Sequence, residues 1–126
     1  MKKYFFKNSD LPKDFKFPAS YINYVMQPDV PDLAPWKFLC ESQKMSDGKL
    51  MALRRLYPSR ILIPFAYRID SDDLVCFDGK EYSEEPLVYY IHLYATLGWE
   101  DRGSVPNFNE WLKQALQEAQ EYQSEE

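Results

Sequence analysis

The chain of 126 residues contains few of the residues on which metal binding and most reaction chemistry depend: four glycines, two cysteines and one histidine. The glycines are not placed to form a phosphate-binding loop. A zinc site usually takes more than one His or Cys. Cys40 and Cys76 lack CxxC spacing, so we expect reduced core residues, with a disulfide across neighbouring strands as the alternative. The sequence predicts no cofactor, no metal site and no enzymatic activity.

Long apolar runs are also missing, since no segment approaches the roughly 20 residues that span a bilayer. Lysines near the N-terminus resemble the start of a signal peptide, but no apolar stretch follows them. We therefore expect a cytoplasmic protein without a membrane partner. Fifteen lysines and arginines against 20 acidic residues give a net charge of −5. This charge argues against direct binding to nucleic acid and favours a basic protein as the partner.

Apolar and β-branched residues are concentrated in the segment 61–78, around which the chain is organised. Residues 61–69 predict one strand, and residues 70–72 supply the turn formers that follow it. Residues 74–77 are apolar on both faces, which is typical of a central strand. Pro64 has no N–H to donate to a neighbouring strand and so predicts a bulge or a solvent-facing edge.

Helical signals flank this hairpin. Pro18 opens a short helix, and the pair Ser46-Asp47 predicts the N-cap of a second helix over 48–56. Asn107 and Glu110 have capping-box spacing at the start of a third helix. Apolar residues then recur at helical spacing, which makes this the clearest period in the chain: Phe108, Trp111, Leu112, Ala115, Leu116 and Ala119.

The remaining segments complete a prediction of one α+β domain over residues 1–126. Residues 36–40 and 87–94 predict further strands, residues 95–106 predict a loop, and residues 1–16 predict an extended lead-in. The acidic residues 120–126 are expected to fray. Short connections favour a twisted, largely antiparallel sheet, with the N-terminal and C-terminal helices packed against it.

An aspartate cluster and the histidine are the polar residues that could bind a metal or act in catalysis. The carboxylates of Asp70, Asp72, Asp73 and Asp78 suggest a metal, but the spacing lacks the glycine and glutamate of a calcium loop. A solvated turn whose charges discourage edge pairing is the favoured alternative. His92 lies in an aromatic strand, and a packed histidine is favoured over a catalytic base.

Trp99 stands in a predicted loop, between Gly98 and Glu100. The favoured interpretation is a lid over the core. The functional alternative is an interface anchor, because tryptophan, tyrosine and arginine contribute most of the binding energy at many protein interfaces.

Several of these segments together resemble the SUKH superfamily, which includes fungal cell-wall assembly regulators and many bacterial immunity proteins. The resemblance runs from about residue 17 to residue 116. It rests on motifs that occur in the family's order: Phe17-Pro18-Ala19-Ser20-Tyr21, Ile63-Pro64-Phe65-Ala66, Asp73-Leu74-Val75-Cys76-Phe77-Asp78, Pro86-Leu87-Val88-Tyr89 and Asn107-Phe108-Asn109-Glu110-Trp111-Leu112.

The resemblance implies an α+β fold and no catalytic residues. It also implies an immunity protein that binds and neutralises a co-encoded toxin, frequently a nuclease. A scaffold or regulatory interaction domain of the same fold is the alternative. An acidic inhibitor can be steered onto the basic cleft of such a toxin. The residues predicted to contact it are acidic, with one aromatic: Asp70, Asp72, Asp73, Glu81, Glu84, Glu85 and Trp99.

Overall fold

A five-stranded antiparallel sheet forms the centre of the protein in a computed structural model that describes residues 2–125. The strands are β1 (Trp36–Phe38), β2 (Leu62–Arg68), β3 (Asp73–Asp78), β4 (Val88–His92) and β5 (Asp101–Val105). The helices are α1 (Ala19–Val25), α2 (Gln43–Leu56) and α3 (Phe108–Ser124), with one-turn 3₁₀ helices at Asn8–Asp10 and Leu39–Glu41. The strands lie in sequence order, and all four neighbouring pairs are antiparallel. The predicted α+β class is confirmed.

The β2–β3 hairpin contains the bulge that Pro64 predicts. Pro64 lies opposite Cys76 and Ala66 opposite Val75, so Phe65 is an extra residue on β2. A bulge accommodates a residue without an N–H because the ladder is locally interrupted there. β3 is the middle strand, as its apolar residues indicate.

The sheet is covered on both faces because successive residues of a strand point to opposite sides. Val75 and Phe77 of β3 pack with α1 and α3 in the larger hydrophobic cluster. Leu74 and Cys76 pack with α2 in the second cluster. The N-terminal and C-terminal helices therefore share one face of the sheet, and α2 covers the other.

Aromatic rings fill the larger cluster. We call its six central members the aromatic core: Tyr21, Phe38, Phe65, Phe77, Phe108 and Trp111, all buried. The rings of Phe65 and Phe77 stack at a centroid distance of 4.2 Å. Trp111 meets Phe65 edge-to-face at 5.1 Å, an arrangement that ring quadrupoles favour. Rings of the N-terminal lead-in also pack against this cluster.

α3 begins at the predicted cap, where Oδ1 of Asn107 accepts the backbone N–H of Glu110 at 2.9 Å. Four of the six predicted positions are buried, Leu112 is partly buried and Leu116 is exposed. The helix continues to Ser124, through most of the segment 120–126 that is predicted to fray, and residue 126 lies outside the described residues. Gln123 secures this last turn by donating its amide N–H to the carbonyls of Asp32 and Ala34.

α2 begins five residues before the predicted start at residue 48. Its N-cap is Ser42, whose hydroxyl accepts the N–H of Met45, and the predicted cap Ser46 lies inside the helix. Ser46 is buried there because its hydroxyl donates to the carbonyl of Leu39 at 2.6 Å. The 3₁₀ turn Leu39–Glu41 also ends β1 at Phe38, two residues earlier than predicted.

β5 lies in the segment that the sequence predicts to be a loop. It pairs with β4 through Tyr89 opposite Ser104 and Ile91 opposite Asp101, with one extra residue on β5 between these pairs. Gly103, in this bulge, has a φ of +115°, which favours glycine. β5 is an edge strand that is largely exposed, so it lacks the apolar alternation by which strands are recognised.

Candidate functional site

Two connections meet at one end of the sheet. The acidic turn, residues 69–73, comprises the connection from β2 to β3 and the first residue of β3. The aromatic loop, residues 94–99, lies between β4 and β5. Their bases are tied together, because the N–H of Leu93 donates to the carbonyl of Asp72 at 3.0 Å. Nδ1 of His92 also lies 2.8 Å from Oδ1 of Asp73. This end of the sheet therefore combines carboxylates with an aromatic loop.

The three aspartates of the acidic turn have different environments. Asp70 forms a two-pronged ion pair with Arg68 at 2.8 and 3.0 Å, and this hydrogen bonding lowers the pKa of the Asp70 carboxyl. Asp73 accepts hydrogen bonds from His92 and from the hydroxyl of Ser71. Asp72 is exposed, and its carboxylate has no hydrogen-bond or ion-pair partner within residues 2–125. Asp72 is thus the carboxylate of this turn that faces solvent.

The second predicted acidic segment lies elsewhere. Glu81, Glu84 and Glu85 are in the connection after β3, at the opposite end of that strand from the acidic turn. A strand of six residues spans about 17 Å. Glu85 accepts a hydrogen bond from Ser20 near the start of α1. The structure therefore separates the two acidic segments rather than joining them in one surface.

Trp99 is not a lid over the core. Its side chain is 74% exposed, and Leu97 and Tyr94 in the same loop are 66% and 58% exposed. The expectation of a core lid is wrong, and the alternative of an interface anchor stays a prediction. Leu97, in the predicted loop, and Tyr94, at the end of the predicted strand 87–94, were not candidates from the sequence, and the strand itself ends at His92.

A buried ion pair that the sequence did not reveal supports the aromatic loop. Glu100 is 4% exposed, and its two carboxylate oxygens accept the N–H of Gly98 at 2.7 Å and Arg60 at 3.0 Å. Burial by itself would raise the pKa of Glu100, but hydrogen bonds from backbone N–H groups and from Arg60 outweigh it and lower that pKa. Arg60 also bonds Asp101 at 3.2 Å and lies over the ring of Tyr89.

The backbone of the loop is fixed at further points. The hydroxyl of Tyr57, at the end of α2, donates to the carbonyl of Ala95 at 2.8 Å. Burial, together with the negative charge of Glu100, raises the pKa of Tyr57, so this hydroxyl remains a donor at neutral pH. The N–H of Trp99 donates to the carbonyl of Thr96 at 2.8 Å. The exposed side chains thus stand on a loop whose main chain is held in place.

Within residues 2–125, no three His, Cys, Asp or Glu side chains are grouped so as to hold a metal ion. His92 has an orienting carboxylate in Asp73, but its Nε2 has no hydrogen-bond partner in the described chain. Cys40 and Cys76 are buried free thiols, as expected, and burial raises the pKa of both. Raised thiol pKa values disfavour the reactive thiolate.

A depression of about 340 Å³ lies beside β2, lined in part by Leu11, Leu53 and Ile61. Its two arginines, Arg54 and Arg60, already pair with carboxylates. The depression therefore offers no free charge to an anionic ligand.

No helix in the described part of the chain combines the length and apolar character needed to cross a bilayer. No protein-family model, curated protein or solved structure matches the chain. What the protein does must therefore be inferred from its own residues and fold.

Proposed function

We propose that this protein is a non-catalytic binding domain that neutralises a basic protein toxin, such as a nuclease, by direct contact. The resemblance of its motifs to the SUKH superfamily supports a role as a bacterial immunity protein. The observation that carries the proposal is that the exposed carboxylate of Asp72 and the exposed indole of Trp99 lie at the same end of the sheet.

The charge of the protein supports a basic partner. Its net charge is −5, and Asp70, Asp72 and Asp73 lie together in a turn fixed by the hairpin. Opposite charges accelerate association and exclude partners of the same sign. A toxin that binds the phosphates of nucleic acid presents the complementary positive surface.

The direct test uses the toxin encoded beside the gene for this protein. Co-expression of the two should restore growth of cells that the toxin alone arrests. The purified proteins should form a complex whose association slows as salt is added.

A matched pair of charge reversals locates the contact. Asp72→Lys and Glu81→Lys each change the net charge by +2, at opposite ends of β3, and both side chains are exposed. We expect Asp72→Lys to slow association roughly 3- to 10-fold at low salt, with little change in dissociation. Glu81→Lys should have a much smaller effect, because it lies away from the acidic turn.

The outcomes separate the candidate functions. Equal slowing by both reversals would show that overall charge, rather than the acidic turn, steers the encounter. Absence of a neighbouring toxin gene, or of a complex with its product, would favour a scaffold or regulatory interaction domain of the same fold.

A further inference from the structure

The aromatic loop concentrates exposed apolar surface in six residues. Tyr94, Leu97 and Trp99 are among the most exposed large apolar side chains in residues 2–125. Comparable side chains elsewhere, such as Met26 and Met51, are on separate helical elements or at their ends. Scattered exposed apolar residues are normal, but a local group marks an interaction site.

This loop is preformed. Glu100 holds the loop through both of its carboxylate oxygens. One oxygen accepts the N–H of Gly98 within the loop, and the other accepts from Arg60 in the segment before β2. A buried carboxylate is costly unless it is paired and hydrogen-bonded. Here that pairing contributes to the shape of an exposed loop rather than to the packing of the core.

The backbone conformation of Tyr94 also indicates a binding site. Its φ of +73° lies in the left-handed region, where a residue with a Cβ is disfavoured and glycine is not. The Tyr94 side chain is mostly exposed, so burial in the core does not offset this cost. Strained positions of this kind cluster at binding sites.

We infer that the aromatic loop is a rigid anchor that enters an apolar pocket of the partner protein, with Trp99 at its centre and Glu100 as the residue that positions it. The inference rests on the proposed function and specifies how binding occurs. Tryptophan and tyrosine recur at the energetic centres of interfaces. A loop already held in its bound shape loses little conformational freedom on binding.

The charges around the loop define the rim of that pocket. Asp72 of the acidic turn and Asp101 after the loop are exposed carboxylates. Asp101 pairs with Arg60, and the exposed Arg102 donates to the carbonyl of Trp99. Asp72 is therefore the main source of negative charge at this rim. Lysine or arginine side chains around an apolar pocket complement this arrangement. The same carboxylates oppose docking on an anionic lipid surface, so a basic protein is favoured over a membrane.

Fluorine NMR on fluorotryptophan-labelled protein tests the contact directly. The chain has three tryptophans, and Trp36 and Trp111 are 2% and 0% exposed, so only the Trp99 signal should move when the unlabelled neighbouring toxin is added. Trp99→Phe assigns that signal by removing it. If the toxin binds and the Trp99 signal stays unchanged, the loop is not the anchor, although the proposed function stands.

Variants measure the energetic role. Trp99→Ala should speed dissociation of the toxin by about 30-fold or more, as expected for a central interface residue. Met51→Ala, at a similarly exposed side chain on α2, is the matched control and should change dissociation by less than about twofold. Equal dissociation rates for Trp99→Ala and the unaltered protein would overturn the inference.

A double-mutant cycle tests whether Glu100 acts on binding by positioning Trp99. Glu100→Gln should speed dissociation roughly 10-fold, because the loop must be ordered on binding. Trp99→Ala combined with Glu100→Gln should dissociate no faster than Trp99→Ala alone, since Glu100 acts through the anchor. Additive effects would assign Glu100 a purely structural role.

Two further outcomes complete the test. Failure of the toxin to bind the unaltered protein overturns both the proposed function and this inference. A shift of the Trp99 signal on addition of phosphatidylcholine vesicles, or of vesicles that also contain phosphatidylglycerol, would instead assign the loop to membrane contact.

Discussion

Trp111 and Trp99 are the same residue type in opposite surroundings. Trp111 is fully buried in the aromatic core, where it meets Phe65 edge-to-face. Trp99 stands largely in solvent on a loop. The aromatic core is stabilised by contact between side chains, whereas the aromatic loop is shaped by polar bonds beneath it, from Glu100, Arg60 and Tyr57. Stability and binding therefore depend on different residues, and substitutions should be able to change one without the other.

The largest loss of stability is expected in the aromatic core. Trp111→Ala should lower the free energy of unfolding by about 3–5 kcal/mol, through lost burial and a residual cavity. Trp111→Phe should cost much less, because the indole N–H has no hydrogen-bond partner within residues 2–125. Urea denaturation measures both variants. A loss below about 1 kcal/mol for Trp111→Ala would show that this ring is not central to the core.

The second-largest loss of stability is expected at Glu100, which supports the aromatic loop. Glu100→Gln replaces one carboxylate oxygen with an amide NH₂, which would face the N–H of Gly98 or the guanidinium of Arg60 and could not accept from it. We expect this change to lower the free energy of unfolding by about 1.5–3 kcal/mol. Because the pKa of Glu100 is lowered, its contribution is fully present above the ordinary glutamate pKa of about 4.3 and is lost as pH falls through the lower folded-state pKa. The difference between the unaltered protein and Glu100→Gln should therefore shrink in acid. A difference independent of pH would contradict an ionised Glu100.

A smaller effect on stability is expected at Tyr94, where a pair of variants isolates the energetic cost of the positive φ. Tyr94→Gly should be about 1 kcal/mol more stable than Tyr94→Ala, because only alanine retains the penalty of a positive φ. The greater freedom of glycine in the unfolded chain reduces this gap. Thermal unfolding of the two variants measures it. Equal stability would indicate that residue 94 relaxes to a negative φ.

The smallest change in stability should come from Trp99 itself. Trp99→Ala is expected to alter the free energy of unfolding by less than about 0.5 kcal/mol, because the side chain is exposed. Urea denaturation beside Trp111→Ala completes the comparison between the two tryptophans. A loss of stability comparable to that of Trp111→Ala would mean that Trp99 packs against the fold after all.

The sequence predicted the elements whose pattern reflects burial. β2 and β3 were recognisable because apolar residues fill both faces of a central hairpin, and Pro64 marked the bulge. α3 was recognisable because its buried residues repeat at helical spacing from a capped Asn107. In each case the local pattern and the tertiary environment agree.

The elements that were missed depend on distant contacts. β5 is polar and exposed, and only its pairing with β4 makes it a strand. The last turn of α3 is secured by carbonyls of Asp32 and Ala34, about ninety residues away. Arg60 and Glu100 are separated by 40 residues, so no local sequence motif indicated that they pair beneath the loop. Trp99 was a candidate from sequence, although a lid over the core was the favoured interpretation and an exposed anchor the alternative.

The bulge in β5 has a consequence for the behaviour of the protein at high concentration. β5 is the edge of the sheet beside the aromatic loop, so a second copy attracted by the loop would meet an open strand. The extra residue near Gly103 interrupts the regular spacing of N–H and carbonyl groups along that edge. Such an edge is a poor template for adding strands. The bulge thus disfavours strand addition at the edge that lies beside the exposed loop.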